Sequence, residues 1–478
     1  MNRYITTTLP YVNADPHIGF ALEILQADVL ARAWRLQGDG VFFTTGTDEH
    51  GQKIFQKAQS EGKDVQGYVD YYANEVQKLK EVLNLSNDTF IRTTDLAHIT
   101  AAQELWKRCM AAGDIYKKKY SGLYCVSDEM FVKEGDLVNG ECPNHPGQAL
   151  ITIEEENYFF KFSAYQEKLL RYLSKEGVIV PEWRRQEAIK FVESGLEDFS
   201  ISREVERMSW GVPVPGDDTQ VMYVWFDALA NYISTLGWPE DSQGNFKKFW
   251  EEGDVLQVAG KDQVRFQSLM WQAMLMSADI KNTDHVFYHG FITSGGQKMS
   301  KSVGNVISPY ELVEKYGTDA TRYLLLRHVH PVEDTDITWE RLDEWHTANL
   351  VNGIGNLVAR VMKLAQDNLA SPVALDDTRI DEAFTDRINA FHFNEALDYI
   401  FEMIAESDAV MTERAPFKKV KSEDDGIKEE GKEDIALLVR HVAAIASRLA
   451  VIMPETSKHI AEAVAANVKP ENLFPRLV

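Results

Sequence analysis

The stretch Lys298-Met299-Ser300-Lys301-Ser302 sets two lysines around small hydroxyl residues, directly after Gly295-Gly296-Gln297. A glycine-rich lead-in to paired ammonium groups makes a mobile cationic clamp for phosphate. A second element of the same chemistry stands near the start, where Asp15-Pro16-His17-Ile18-Gly19 opens a helix after the β-prone run Tyr4-Ile5-Thr6-Thr7. An imidazole at the start of a helix lies where the backbone dipole favours anions. Two phosphate-handling elements, with no Walker A sequence competing for the role, point to ATP.

A third constellation is metal-like: Cys125-x2-Asp128 followed by Cys142-x2-His145, among glycines and prolines that permit tight knuckles. Aspartate is a legitimate zinc ligand but a harder one than thiolate. Zinc and a metal-free knuckle both remain open at this point. The remaining cysteine, Cys109, falls in the helical run Leu105 to Ala112 and is expected to be buried and inert.

The elements that must position these groups read as a doubly wound α/β fold. Tyr4 to Thr7 and Val41 to Thr45 bracket a helix from about Pro16 to Leu36, the β-α-β rhythm of a parallel sheet. Asp15 is the expected N-cap and Pro16 the first helical residue. A second unit runs through Val255 to Ala259, then Gly260-Lys261-Asp262, a helix through Met276 and a strand over His285 to Ile292. Ligands of such sheets collect at the carboxyl ends of strands where the order reverses, which places Thr47-Asp48-Glu49-His50-Gly51 and Gly260-Lys261-Asp262 there. After about 343 a helical periodicity takes over, as in Leu350, Ile354, Leu357, Val361 and Leu364, and again in Leu438, Val442, Ile445, Leu449 and Ile452. Ser422 to Asp434 reads as an exposed loop between helices. The expected division is a Rossmann-type catalytic first half (1–114), an inserted connective subdomain (115–220), a second half (221–292), a linking segment with the lysine loop (293–342) and an α-helical bundle (343–478).

The 478 residues are 44% hydrophobic and 26% charged, a globular composition that excludes disordered and fibrous classes. Net charge is −24, which argues against a protein that coats nucleic acid non-specifically but leaves room for local basic tracks such as Lys117-Lys118-Lys119 and Lys418-Lys419. The longest apolar stretch, Ile435 to Met453, is broken by Arg440, His441 and Arg448 and reads as a packed helix, not a membrane span. With three cysteines and no secretory leader, the expected location is cytoplasmic.

Taken together, the His-Ile-Gly signature, the Lys-Met-Ser-Lys-Ser loop, Asp48-Glu49-His50-Gly51, Trp210-Gly211-Val212-Pro213, Tyr223-Val224-Trp225-Phe226-Asp227-Ala228, Gly260-Lys261-Asp262 and a helical C-terminus resemble a class I aminoacyl-tRNA synthetase, of the methionyl branch. The resemblance runs from Tyr4 to about Ala461. It implies activation of methionine by ATP, with Mg2+, and charging of initiator and elongator methionine tRNA. That reaction is an in-line displacement at the α-phosphorus, in which positioning and charge stabilisation do the catalysis. The resemblance assigns His17, Lys298 and Lys301 to catalysis on the triphosphate, Gly19 to close approach of the adenine and Asp262 to the ribose. It assigns Asp48 to the methionine ammonium, and Leu9, Tyr11, Trp225, Tyr232, Gln267 and Trp271 to the pocket around the thioether. In the helical region Asn356 and Arg360 match the Asn-x3-Arg that reads a CAU anticodon, and Pro416-Phe417 matches a Pro-Trp whose ring stacks on a base. Cys125, Asp128, Cys142 and His145 match a zinc knuckle. No membrane partner is implied, and a monomer is expected.

Three positions depart from the family pattern: Phe20 where a second histidine is usual, Gln267 for histidine and Asp128 for cysteine. The first removes an imidazole donor, and the second keeps hydrogen bonding without a titratable ring. The rival readings are another class I synthetase, a catalytically weakened tRNA-binding paralogue, and a small-molecule nucleotidyltransferase, the last having no use for the helical region.

Overall fold

The computed structural model describes residues 1–126, 130–132, 135, 137–143, 147–299, 305–375 and 380–477. Contacts group the chain into two compact units: Met1–Pro16, Gly38–Leu79 and Asn87–His289 in one, His17–Gln37, Lys80–Ser86 and Gly290–Val478 in the other.

The first unit is organised by six parallel strands, β1 (Asn2–Thr7), β2 (Gly40–Thr47), β3 (Thr89–Arg92), β4 (Ile179–Val180), β5 (Asp254–Gly260) and β6 (His285–His289), in the order β3-β2-β1-β5-β6-β4. Aromatic and β-branched residues dominate these strands because a parallel sheet is covered on both faces. Several of their hydroxyls pair with one another, Thr7 with Thr45 at 2.8 Å and Thr89 with Thr44 at 2.9 Å. Strand order reverses between β1 and β5, which run in register from Arg3 opposite Asp254 to Thr7 opposite Val258. Within the stretch expected as an insert, Ile115–Cys125 pairs antiparallel with Ile151–Phe160. The chain re-enters the central sheet there as β4. The helix α2 (Leu96–Ala111) buries Cys109, whose thiol is pushed up to about 12 by burial, as inertness requires.

The second unit contains the helix α1 (Ile18–Leu36), although the strands that flank it in the chain belong to the first. Beside a small sheet of Ile292–Ser294, Gln297–Lys298 and Thr335–Asp336 it is built of helices, among them α3 (Thr318–His328), α4 (Asn356–Asn368), α5 (Phe393–Glu413), α6 (Asp425–Leu449) and α7 (Pro454–Ala466). The periodic residues Leu350, Ile354, Leu357, Val361, Leu438, Val442, Ile445 and Leu449 are all buried. Ser422 to Asp434 is not the expected loop: α6 begins at Asp425, with the Asp424 carboxylate accepting from Gly426 N and Ile427 N. The stretch is largely exposed, as expected, and helical all the same, its charges paired with one another and with Arg414 and Lys419. Asp434 accepts from Arg414 and Lys419, and Lys432 pairs with Glu429 three residues away. Among the described residues no helix is long and apolar enough to cross a membrane.

A buried ion pair ties α1 into this unit. Arg322 on α3 donates to the Asp28 carboxylate on α1 at 2.7 Å, to Ile452 O at 2.6 Å and to Leu83 O at 2.9 Å. Asp28 also accepts from Arg32 at 2.7 Å and from Ser86 N at 2.6 Å. Burial opposes its charge, yet the two guanidinium groups hold its carboxyl below the usual range. Removing one member of such a pair strands the other charge. Arg322→Met is therefore expected to lower stability by about 3–5 kcal/mol in urea unfolding, and a loss below ~1 kcal/mol would show that Arg32 alone suffices for Asp28.

Candidate active site

At the carboxyl edge of the sheet, the segments leaving β1 and β2 run side by side. Asp48 N donates to Pro10 O at 3.1 Å, Val12 N donates to Asp48 O at 3.2 Å, and Tyr11 bridges to Asp48. The Asp48 side chain is 5% exposed, with half-buried Leu9 and Tyr11 on the adjoining strand end. Glu49 locks the loop that presents it: its carboxylate accepts from Thr47 at 2.6 Å, from Arg92 at 2.7 and 2.8 Å and from Thr94 at 2.6 Å. Trp210 Nε1 donates to Glu49 O at 2.7 Å. Asp48 thus presents a buried carboxylate from a backbone pinned on both sides, which suits it to an organic cation.

An aromatic wall stands in the same unit. Trp225, half-buried, stacks on Phe266 with centroids 3.9 Å apart, and Tyr232 meets Trp271 at 5.8 Å. Tyr4 on β1 donates through its hydroxyl to Tyr232 O at 2.8 Å. Gln267 is 1% exposed, and neither its Oε1 nor its Nε2 has a hydrogen-bond partner; the same is true of Trp271 Nε1 four residues on. Buried polar groups left without partners are uncommon and mark places where a ligand or water completes the set. Past β5, the exposed Asp262 lies close over Gly260, where a Cβ would stand 2.7 Å from its Oδ1. Glycine there leaves the Asp262 carboxylate room to lie against the backbone.

Sequence reasoning did not assign His50, His98 or Asp227, although His50 and Asp227 lie inside motifs it singled out. His50 Nδ1 and His98 Nε2 stand 2.7 and 2.8 Å from the two oxygens of the fully buried Asp227. Burial opposes ionisation of Asp227, and the two imidazoles outweigh it, holding the carboxyl below its ordinary value. His98, on a helix without a motif, left no signal in the chain.

In the second unit the N-cap of α1 is His17, not Asp15, and the helix starts at Ile18, not Pro16. The exposed imidazole accepts from Gly19 N through Nδ1 at 3.1 Å. A nitrogen that accepts carries no proton, so the neutral ring bears its hydrogen on Nε2, the donor a phosphate oxygen needs. The first backbone N–H groups are also engaged, Ile18 N with Ile307 O at 3.2 Å and Phe20 N with His17 O at 3.1 Å. The helix thus offers an anion its dipole and the imidazole, with these amides already used. A Cβ on Gly19 would meet His17 Cε1 at 2.9 Å, so this glycine makes room for the cap itself. Phe20, at the position of the missing histidine, is buried.

Ile307 follows the lysine loop, so the loop's described flank is tied to the residue next to His17. On its other flank Ile292–Ser294 and Gln297–Lys298 form a hairpin closed by Gly295 and Gly296, at φ +64° and +73°. Two successive positive φ values suit glycine, which accounts for the glycine-rich lead-in. Lys298 is placed by its backbone in this hairpin; Lys301 lies outside the described residues.

Asn356 and Arg360 are exposed one turn apart on α4, with Arg360 3.2 Å from the Asp408 carboxylate. Phe417 is 38% exposed, following the buried Pro416. Cys125 and Cys142 are buried, and Asp128 and His145 lie outside the described residues.

The family model described as tRNA synthetases class I (M) matches residues 3–150 and 146–362. A methionine–tRNA ligase of Brucella suis is 41% identical over 431 residues, covering 87% of this chain and 83% of that protein. One from Thermotoga maritima is 39% identical over 488 residues, covering 98% and 76%. Among solved structures, Mycobacterium tuberculosis methionyl-tRNA synthetase in complex with methionyl-adenylate is similar at a TM-score of 0.93 and 36% identity, over 99% of this chain and 100% of that one.

The Gly19 contact gives a direct test of the cap. Gly19→Ala is expected to displace the His17 ring, lowering stability by about 1 kcal/mol and moving the His17 nitrogen resonances in NMR. An unmoved His17 spectrum would show that the cap does not depend on the missing Cβ.

Proposed function

We infer, from a chain that belongs to the tRNA synthetases of class I (M), that it is a methionine–tRNA ligase. It joins methionine to ATP, giving methionyl-adenylate and pyrophosphate, and passes the methionyl group to the 3′-terminal adenosine of methionine tRNA. In the first step a methionine carboxylate oxygen attacks the α-phosphorus and pyrophosphate leaves. In the second the terminal hydroxyl attacks the activated carbonyl and AMP leaves. The observation that carries this reading is the buried Asp48 carboxylate, carried on a pinned backbone at the carboxyl edge of the sheet in the same unit as an aromatic wall.

Each residue has a role in it. Asp48 takes the ammonium of methionine, while Leu9, Tyr11, Trp225, Tyr232 and Trp271 line its apolar side chain, where aromatic faces suit a polarizable sulfur. Gln267 supplies amide donors and an acceptor in place of an imidazole. Asp262 takes the ribose hydroxyls. His17 donates from Nε2 to phosphate oxygens as charge builds, and Lys298 and Lys301 hold the departing pyrophosphate. With Phe20 buried, this work rests on one imidazole and the two lysines. Magnesium accompanies ATP in this reading, since a triphosphate carries more charge than two ammonium groups neutralise. Among the described residues no group of three or more His, Cys, Asp or Glu could hold a metal ion. Zinc belongs to the set Cys125, Asp128, Cys142 and His145, supported by the burial of both thiols, and metal content measured against Cys142→Ser tests it. Asn356, Arg360, Pro416 and Phe417 read the anticodon. The enzyme is assigned to the cytoplasm as a monomer, which light scattering checks.

Pyrophosphate exchange into ATP across the amino acids tests the activity. Exchange with methionine alone is the expected result, and Asp48→Ala is expected to abolish it while the protein stays folded. Exchange with a different amino acid selects another class I synthetase, and none at all, with intact tRNA binding, selects a non-catalytic paralogue. Phe417→Ala is expected to weaken methionine tRNA binding by about 1–3 kcal/mol in filter binding, with exchange unaffected; equal affinity would remove Phe417 from the anticodon site.

A further inference from the structure

Four buried side chains of the first unit form one hydrogen-bonded chain. His50 Nδ1 stands 2.7 Å from Asp227 Oδ2, His98 Nε2 stands 2.8 Å from Asp227 Oδ1, and His98 Nδ1 stands 3.0 Å from Ser234 Oγ. Their exposures run from 0% for Asp227 and His98 to 4% for His50 and 5% for Ser234, so water does not compete for these bonds. Three of the four each lie two residues beyond an assigned pocket residue: His50 after Asp48, Asp227 after Trp225 and Ser234 after Tyr232. The fourth, His98, sits on α2, which carries no pocket residue.

The proton inventory closes around His98. With Asp227 ionised and His98 in the tautomer that donates from Nε2 to it, Nδ1 is the acceptor for the Ser234 hydroxyl. That hydroxyl has a competing acceptor in Asn231 O, at a longer 3.4 Å. Backbone bonds already join the consecutive helices Val224–Leu229 and Asn231–Ser234, and His98 adds a side-chain link from Ser234, beside Tyr232, to the carboxylate on which the segments bearing Asp48 and Trp225 meet. Trp210 also touches His50, ring to ring at 5.7 Å, but reaches neither Asp227 nor Ser234 by any hydrogen bond described here.

We propose that His98 is a positioning residue for methionine recognition, setting the mutual placement of Asp48, Trp225 and Tyr232 through Asp227 and Ser234. It touches no substrate. This rests on the assignment of those three residues to the methionine pocket. The phosphate-handling His17 and Lys298 belong to the other unit, and Asp262, assigned to the ribose, has no hydrogen bond among the described residues to this chain of four, so disturbing His98 should be felt in methionine binding and not in ATP binding.

Steady-state pyrophosphate exchange on the full chain tests it. His98→Leu, which breaks both links, is expected to raise the methionine KM by about tenfold or more while the ATP KM stays within about twofold. His98→Gln, whose amide can donate toward Asp227 and accept from Ser234, is expected to restore most of the loss. An unchanged methionine KM in folded His98→Leu overturns the proposal. So does an equal rise in both KM values, or a methionine KM as high in His98→Gln as in His98→Leu, since either marks a general packing role. Should His98→Leu fail to fold by circular dichroism, Ser234→Ala removes the last link alone: a selective rise in methionine KM supports the proposal and no rise overturns it. Failure of the underlying reading looks different, because the unmodified protein would then show no methionine-dependent exchange, or Asp48→Ala would leave it intact.

Discussion

At the carboxyl edge of a parallel sheet every strand ends on the same side, and where the order reverses the chain must leave in opposite directions and open a crevice. In this protein that reversal lies between β1 and β5. The strand ends near it release Leu9 and Tyr11, Asp48 and His50, and Gly260 with Asp262. None of these need be neighbours in the sequence. They share one edge because the strands are parallel and in register, and the backbone bridge between Tyr11 and Asp48 extends that register past the sheet itself.

Both units then solve the same problem, that of a carboxylate taken out of water. In the second unit Asp28 is matched by guanidinium groups from Arg322 and Arg32, a strong but purely structural answer that fastens α1 to its neighbours. In the first, Asp227 is matched by two imidazoles. Imidazoles are directional at both nitrogens, so each ring can pass the constraint onward to a further segment, which a guanidinium saturated by carbonyls does not do. The difference in partner chemistry separates a clamp from a linkage.

Much of the site was legible in the chain because its chemistry is carried by short motifs. The lysine loop, the His-Ile-Gly signature and the Gly260-Lys261-Asp262 turn declare themselves by residue type and spacing, and their flanking strands by β-branched runs. The helical periodicity after 343 was equally readable, since a 3.6-residue repeat is a local property. The charged stretch from Ser422 misled for the converse reason. Its composition suggests solvent, while its helicity comes from Asp434, Arg414 and Lys419 meeting in the folded state.

By itself, then, the sequence determined the class of reaction and the doubly wound plan, and it supplied the residues proposed to touch substrates, because each of those is written in a window of a few residues. Only the tertiary structure decided that His17 caps its own helix and so carries its proton on Nε2, that α1 keeps company with the C-terminal helices, and that His98 stands between Asp227 and Ser234. The cap is a contact two residues long that composition does not announce, while the other two depend on groups that meet across more than a hundred residues, as with His98 and Ser234, where burial removes water as a competitor. Pairing of that kind leaves no periodicity and no motif behind it.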